Sequence, residues 1–529
     1  MESIDRDLQV LADRKLAWAR LPVGTKIEYL LAVRRAAGEY ARDWADAACA
    51  AKGLAPGSPL RGEEWIAGPW AVLYALNRYV RTLRTIVARG APELAPGAVR
   101  TRPDGRVVAR VYPRTAYDRL LLLGTQAEVW MQDGVSEETL ASTMGRFYRE
   151  AEPAGRVALV LGAGNISSIA ALDVLYKFVA GGSVCMLKMN PVNEYLQPIF
   201  ERVFEPFVAG GFLRFARGGA DVGRYLCAHE LVDEIHVTGS ESTHDAIVAE
   251  LAHPKPITSE LGNVSPTIVL PGTWSDADVR FQAESIATQK MHNAGYNCIA
   301  AQVLVLPRDW NGTPRLLKAL AEVFRRTAPR EPYYPGTRGR YDALVWPHRD
   351  AAFFEADSTA DDAAFTTEAF CNVLAYVELP GDPAAFLRAA VVFANDRLHG
   401  TLGANLIVHP ATQRAMETEF EAAIADLRYG CIAVNTWTGV GYFIAETTWG
   451  AYPGHTLADI GSGIGVVHNA YLFDKPLKSV IYAPFRPFPR PAYFITNRMQ
   501  AAIGERLCAF EARPSPARAL RVAAAALRG

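Results

Sequence analysis

The sequence predicts an α/β fold: a parallel-sheet domain followed by a second α/β domain. Three observations predict it. A chain of 529 residues is too long for one simple core, so two or three domains are expected. From Arg156 on, apolar strand-like runs at 157–161, 184–188, 213–216 and 234–238 alternate with helical stretches, the pattern of a parallel sheet covered on both faces. A second such series starts near Glu260, with strands at 267–270 and 301–306 and a long helix, 276–290, between them.

Composition bounds the function. Half the residues are hydrophobic, 21% are charged and the formal net charge is −1, so no global field recruits nucleic acid or an anionic membrane. The start, Met1 to Arg6, lacks a charged-then-apolar signal pattern, and no stretch has the apolar length of a membrane span. Cys49, Cys185, Cys227, Cys298, Cys371, Cys431 and Cys508 are scattered and form no CxxC pair. That points to reduced thiols in a cytoplasm and to no metal site.

In chain order, residues 1–53 and 63–87 read as helices, with a turn at 91–97. Residues 106–112 and 120–131 read as an antiparallel strand pair that projects from the body, and 137–149 as a helix. Further strands are expected at 373–377 and 432–434, and 327–340 reads as a surface loop. The tail from Arg486 is Pro/Arg-rich, then helical from 497 to 510, then an Ala/Arg/Leu run.

One stretch carries the chemistry. Cys298 follows the turn at Gly295 and precedes the buried-strand run 302–307, where a rigid sheet can aim it at a pocket. Such a cysteine is a candidate nucleophile for a carbonyl. Taken alone it reads equally as a small buried hydrophobe. Glu260, before the glycine turn Gly262, offers a general base and reads otherwise as an ordinary surface or capping carboxylate. Asn165, in Gly162-Ala163-Gly164-Asn165, is an oxyanion donor or a turn asparagine. His292 reads as a packing or backbone-bonding histidine, and Cys371 and Cys431 as structural.

Taken together, Glu260-Leu261-Gly262, then Ser265-Pro266 and a strand, then a long helix, then Asn293-x-Gly295-x-x-Cys298 resemble the aldehyde dehydrogenase superfamily. The resemblance implies that Cys298 adds to an aldehyde, that Glu260 activates water and that the Asn165 amide holds the oxyanion. The chemistry is coherent. A thiolate adds first, the adduct expels hydride onto a nicotinamide, and a base-activated water clears the thioester. For an NAD or NADP cofactor it implies Lys188 at the adenosine ribose, Gly239 and Ser240 at the pyrophosphate and Glu368 at the nicotinamide ribose, with Gly162 and Leu261 beside them. Position 191 is proline, not an acid that would repel a 2′-phosphate, so both dinucleotides stay open. The chain departs from the family at Ala163-Gly164, usually Pro-Trp, at His244, usually glycine, and at Cys371-Asn372, usually Gly-Pro. His244 would change how close the dinucleotide lies or, when protonated, add a positive group.

The resemblance runs from about residue 10 to 485. It implies a cofactor-binding domain (1–100 and 146–259), a catalytic domain (260–455) and a β-arm for oligomerisation (101–145 and 470–485), leaving 486–529 as a C-terminal extension. A homodimer or homotetramer is the expected assembly. Trp437, Tyr442 and Phe443 would line the substrate side, suiting an apolar or aromatic aldehyde. The expected function is NAD(P)-dependent oxidation of that aldehyde to its acid through a thiohemiacetal and a thioester. Glu260 favours hydrolysis over the alternatives, a CoA-dependent acylating enzyme or acyl-CoA reductase; a non-catalytic binding protein is the other. The 497–510 helix would cover a channel mouth or a neighbouring subunit. Membrane contact by the Ala/Arg/Leu end is less favoured, since that helix lacks a bulky apolar face.

Overall fold

The computed structural model describes residues 1–251, 253–328, 330–349 and 351–529. Four helices, Glu2–Ala19, Val23–Glu39, Ala41–Ala51 and Ala71–Arg89, form an N-terminal layer. They pack through Leu8, Leu30, Trp44 and Leu76 against the first sheet. A π-turn at Ile66–Trp70 around Gly68-Pro69 breaks the helix expected from 63 to 87, because proline removes a backbone donor inside a helix.

The first sheet has six strands in the order 463–464, 257–261, 234–239, 157–161, 184–188, 213–216, parallel except at the first pair. The second has ten. Strands 476–482, 431–434, 403–407, 265–269, 301–307, 374–379 and 353–355 run parallel, and the antiparallel set 99–101, 107–112, 126–131 extends the 476–482 edge. Every residue of Ala301–Pro307 is buried, which is why its stretch Val303–Leu306 reads as an apolar run.

The antiparallel strands do not project. Val480 of 476–482 pairs in register with Ile432 of the same chain, and Val129 pairs with Ser479. Trp130 is fully buried, and the Lys478 ammonium donates to the carbonyls of Ile424, Ala425 and Leu427. The sheet edge that a free arm would leave open is thereby satisfied within the chain. Of the run read as a strand from 120, only Gln126–Met131 is one; Ala116–Leu121 is a helix capped by Thr115 and Asp118. The helix expected over 137–149 is three short turns.

The extension runs back over its own chain. Phe485 packs on Trp274, and Thr496 donates to Glu284. The helix Gln500–Ala512 buries Ile503, Leu507 and Phe510, its Phe510 ring 5.1 Å from Tyr117, and Asn77 donates to Glu511 at 2.6 Å. Its apolar face is thus already covered by the N-terminal layer. Among the described residues no helix is long and apolar enough to cross a membrane.

Candidate active site

Cys298 stands between two cavities. A groove of about 890 Å³ lies over the C-terminal ends of strands 157–161, 184–188 and 234–239, where parallel sheets place ligands. Gly162, Lys188, Gly239, Ser240, Leu261 and Glu368 all line it. A small chamber of about 30 Å³ lies on the other side, walled by Ile166, Ile299, Trp437, Phe443 and Trp449. Cys298, Asn165 and Tyr442 line both, and Glu260 faces the groove. The residues that the resemblance assigns to catalysis, cofactor and substrate all line one or both of these cavities, and Cys298 lines both.

Local chain geometry puts the thiol there. The helix Asp276–Met291 ends at a kinked turn in which Asn293, Ala294 and Gly295 all have positive φ, 53°, 55° and 82°. Left-handed backbone costs a non-glycine residue roughly 1–2 kcal/mol, so the surroundings must hold it. Gly295 is required, since a Cβ there would lie 2.7 Å from the Cys371 carbonyl.

What holds the turn is a buried charged cluster that no sequence pattern disclosed. Lys52 pairs with Glu64 at 2.7 Å and donates to the Asn165 carbonyl and to Asn293 Oδ1. Glu63 accepts from the Asn293 backbone N–H and from Arg330. Tyr333 donates to the same Asn165 carbonyl and to Asn293 Oδ1. The segment expected to be a surface loop thus sends Arg330 and Tyr333 inward to fix the nucleophile turn and starts a helix at Thr337; Pro329 lies outside the described residues. Asn165 itself donates Nδ2 to the Tyr296 carbonyl at 2.9 Å, which leaves its second amide hydrogen for the chamber.

Burial governs the electrostatics. Together with the charges of Glu368 and Glu260, it holds the Cys298 thiol well above the ordinary thiol range. Burial and the nearby Asp173 carboxylate push Glu260 well above the usual carboxylate range. Both shifts favour the protonated forms, and a cation brought into the groove would favour both anions. Burial also raises Glu368 to about 8, although Arg340 and Lys290 oppose it. Its carboxylate occupies the space a Cβ at Gly262 would fill.

The groove suits a dinucleotide. The helix Glu241–Glu250 points its N-terminus at it from the Ser240 cap, a natural anion site, and no atom comes closer than 4.0 Å to a Cβ placed at Gly239. Lys188, at a strand end, supplies a cation. His244 is not among the residues that line the groove. It is fully buried, its Nδ1 lies 2.8 Å from Ser259 Oγ, and burial lowers its pKa, so it packs neutral behind the groove. His292 packs, with its ring 5.1 Å from Trp437 in the chamber wall.

The extension reaches the chamber. Tyr493 lies 3.1 Å from the Thr436 hydroxyl, and its ring is 6.0 Å from that of Trp437. Replacing Tyr493 with alanine removes the backing of a chamber wall, so bulkier aldehydes should gain kcat/KM relative to small ones by about 1–2 kcal/mol, roughly tenfold. Competition between a short and a branched aldehyde measures it. An unchanged ratio would separate the extension from selectivity.

Residues 123–338 match the aldehyde dehydrogenase family. A dimeric NADP-preferring aldehyde dehydrogenase of Rattus norvegicus is 27% identical over 177 residues, 33% of this chain and 38% of that protein. A lactaldehyde dehydrogenase of Methanococcus maripaludis is 30% identical over 174 residues, 32% of this chain and 36% of its own. The chain thus aligns with under two-fifths of the length of these relatives. The structure of a gamma-glutamyl-gamma-aminobutyraldehyde dehydrogenase from Burkholderia cenocepacia superposes with a TM-score of 0.61 at 19% identity, covering 91% of this chain and 89% of that one. The central sequence match is to the aldehyde dehydrogenase family, and the fold of such an enzyme is shared over nearly the whole length of the chain.

Proposed function

We propose that this protein oxidises a compact apolar aldehyde to its carboxylic acid with NAD or NADP. The observation that carries the reading is the position of Cys298 at the junction of a dinucleotide-sized groove and a small apolar chamber. When bound, a nicotinamide supplies the hydride acceptor; Lys188, Ser240 and Glu368 are the residues that would hold the dinucleotide. The chain does the rest. Glu260 takes the thiol proton, and Cys298 adds to the carbonyl. The Asn165 amide and the Cys298 backbone N–H steady the oxyanion. Once the thioester has formed, Glu260 deprotonates the water that hydrolyses it. The aromatic and aliphatic chamber wall supports a substrate without charge, and the small volume favours a short chain over a ring.

Proline at 191 and the NADP preference in a relative's name support use of NADP beside NAD. Seven free cysteines accord with a reducing cytoplasm. Assembly as a homodimer or homotetramer would use a surface other than the 476–482 edge, which is already paired.

The test is a panel of aldehydes with NAD and with NADP, without CoA, for wild type and Glu260→Gln. Wild type should prefer short alkyl aldehydes, and its rate should rise with pH as Glu260 and Cys298, both displaced upward, lose their protons. Glu260→Gln should lose about 10²–10⁴ in steady-state rate. A preference for acidic semialdehydes, or turnover only with CoA, would refute the reading.

A further inference from the structure

The helix Ile169–Ala180 packs on a sheet face that carries polar residues where apolar ones would seal it. Glu234, His236 and Thr238 alternate along one strand, and Thr258 and Glu260 alternate along the next. The register sets His236 beside Thr258 and Thr238 beside Glu260. Across from them the helix presents Asp173 and Lys177, four residues apart and so on one face. His236 and Asp173 are almost wholly buried.

The groups are linked end to end. Thr238 Oγ1 donates to Asp173 Oδ2 at 2.9 Å and lies 3.4 Å from His236 Nε2. His236 Nδ1 is 2.8 Å from Thr258 Oγ1, to which Lys177 Nζ donates at 3.4 Å. Lys177 pairs with Glu234 at 3.6 Å, and Glu234 meets Arg156 at 3.9 Å, whose side chain is 56% exposed. One end of the row, Asp173, lines the same groove as Glu260 and Cys298; the other opens to solvent. Also facing the inner end are His468, kept neutral by burial, and the Tyr442 hydroxyl. A buried polar row of this kind generally costs stability relative to an apolar seam.

Resting on the proposed reaction, we propose that Asp173, His236 and Lys177 carry protons from Glu260 to the surface at Glu234. The balance requires an exit. An aldehyde, a water and an oxidised dinucleotide give a carboxylate, a reduced dinucleotide and two protons. Both protons pass through Glu260, one from the thiol and one from the water. Asp173, which lines the groove with Glu260 but is not hydrogen-bonded to it, takes the proton through a water in the groove and passes it through the Thr238 hydroxyl to His236 Nε2, while Nδ1 releases one to Thr258. Lys177 first gives a proton to Glu234, and the free amine then turns its lone pair to Thr258 and takes the proton from it, which restores the ammonium; Glu234 discharges to water.

His236→Gln keeps hydrogen-bonding groups but cannot be protonated in the working range; Lys177→Met is the second variant. Each is compared with wild type for the pre-steady-state burst of reduced dinucleotide, the steady-state rate, and that rate in rising imidazole buffer. Alkylation of Cys298 in the apoprotein checks that the site is intact. The expected result is an unchanged burst, a steady-state rate lower by about tenfold, and recovery with imidazole. A steady-state rate unchanged in both variants, or a fall that buffer does not relieve, overturns the proton line. A wild type with no burst on any aldehyde would instead remove the proposed reaction, which separates the two failures.

Discussion

Cys298→Ala should abolish aldehyde oxidation, by on the order of 10⁴-fold or more, while dinucleotide affinity stays within a few-fold of wild type. The loss is large because nothing else in the chamber can form the covalent adduct: His292 is neutral and packed against Trp437, and the other lining groups are aliphatic or aromatic side chains, amides and glycine. Affinity is spared because the groove extends far beyond the thiol, to Lys188 and Ser240. A companion measurement needs no substrate. Cys298 alone among the seven cysteines is partly exposed, and the other six are buried. Limited iodoacetamide treatment should therefore leave one adduct, on Cys298. Since burial, Glu368 and Glu260 all hold its thiol above the ordinary range, the rate should be slow near neutrality and climb with pH. Retained turnover in Cys298→Ala, or first modification at another cysteine, would contradict this assignment.

Lys52→Met should be the most destabilising change near the site. Lys52 and Glu64 are both buried to 2% side-chain exposure, and removing one partner strands the other charge. Breaking such a pair costs about 3–5 kcal/mol. The effect should extend to catalysis, because the same ammonium holds the Asn165 carbonyl and the Asn293 side chain. Without it, the left-handed turn that aims Cys298 and the loop that aims Asn165 lose a shared anchor. Urea denaturation and kcat should fall together in Lys52→Met, and the double variant Lys52→Met/Glu64→Met should recover much of the stability but little of the rate. Full activity in the single variant would show that Glu63, Arg330 and Tyr333 position the turn alone.

Much of this was legible in the chain. Val303–Leu306 announced itself as a buried strand because its side chains are apolar, and alternation of such runs with helices indicated parallel sheets. Cys298, Glu260 and Asn165 were legible because each sits in a short motif at the end of a strand or helix, where spacing along the chain is also spacing in space. The tail was legible only as an addition. Its helical period gave the Gln500–Ala512 helix, but period says nothing of what covers its face.

Local sequence by itself determined most of the parallel strands and the turn before Cys298, because backbone propensity and apolar period act over a few residues. Tertiary structure alone decided the partners. Lys52 meets Asn293 across 241 positions, Tyr333 meets Asn165 across 168, and Tyr493 meets Thr436 across 57. The antiparallel strands pair with 476–482 and through it with 431–434 of their own chain, although they read in sequence as a free arm. A lysine, a tyrosine or a strand edge is satisfied by whatever the fold brings within about 3 Å, and no local pattern encodes that meeting.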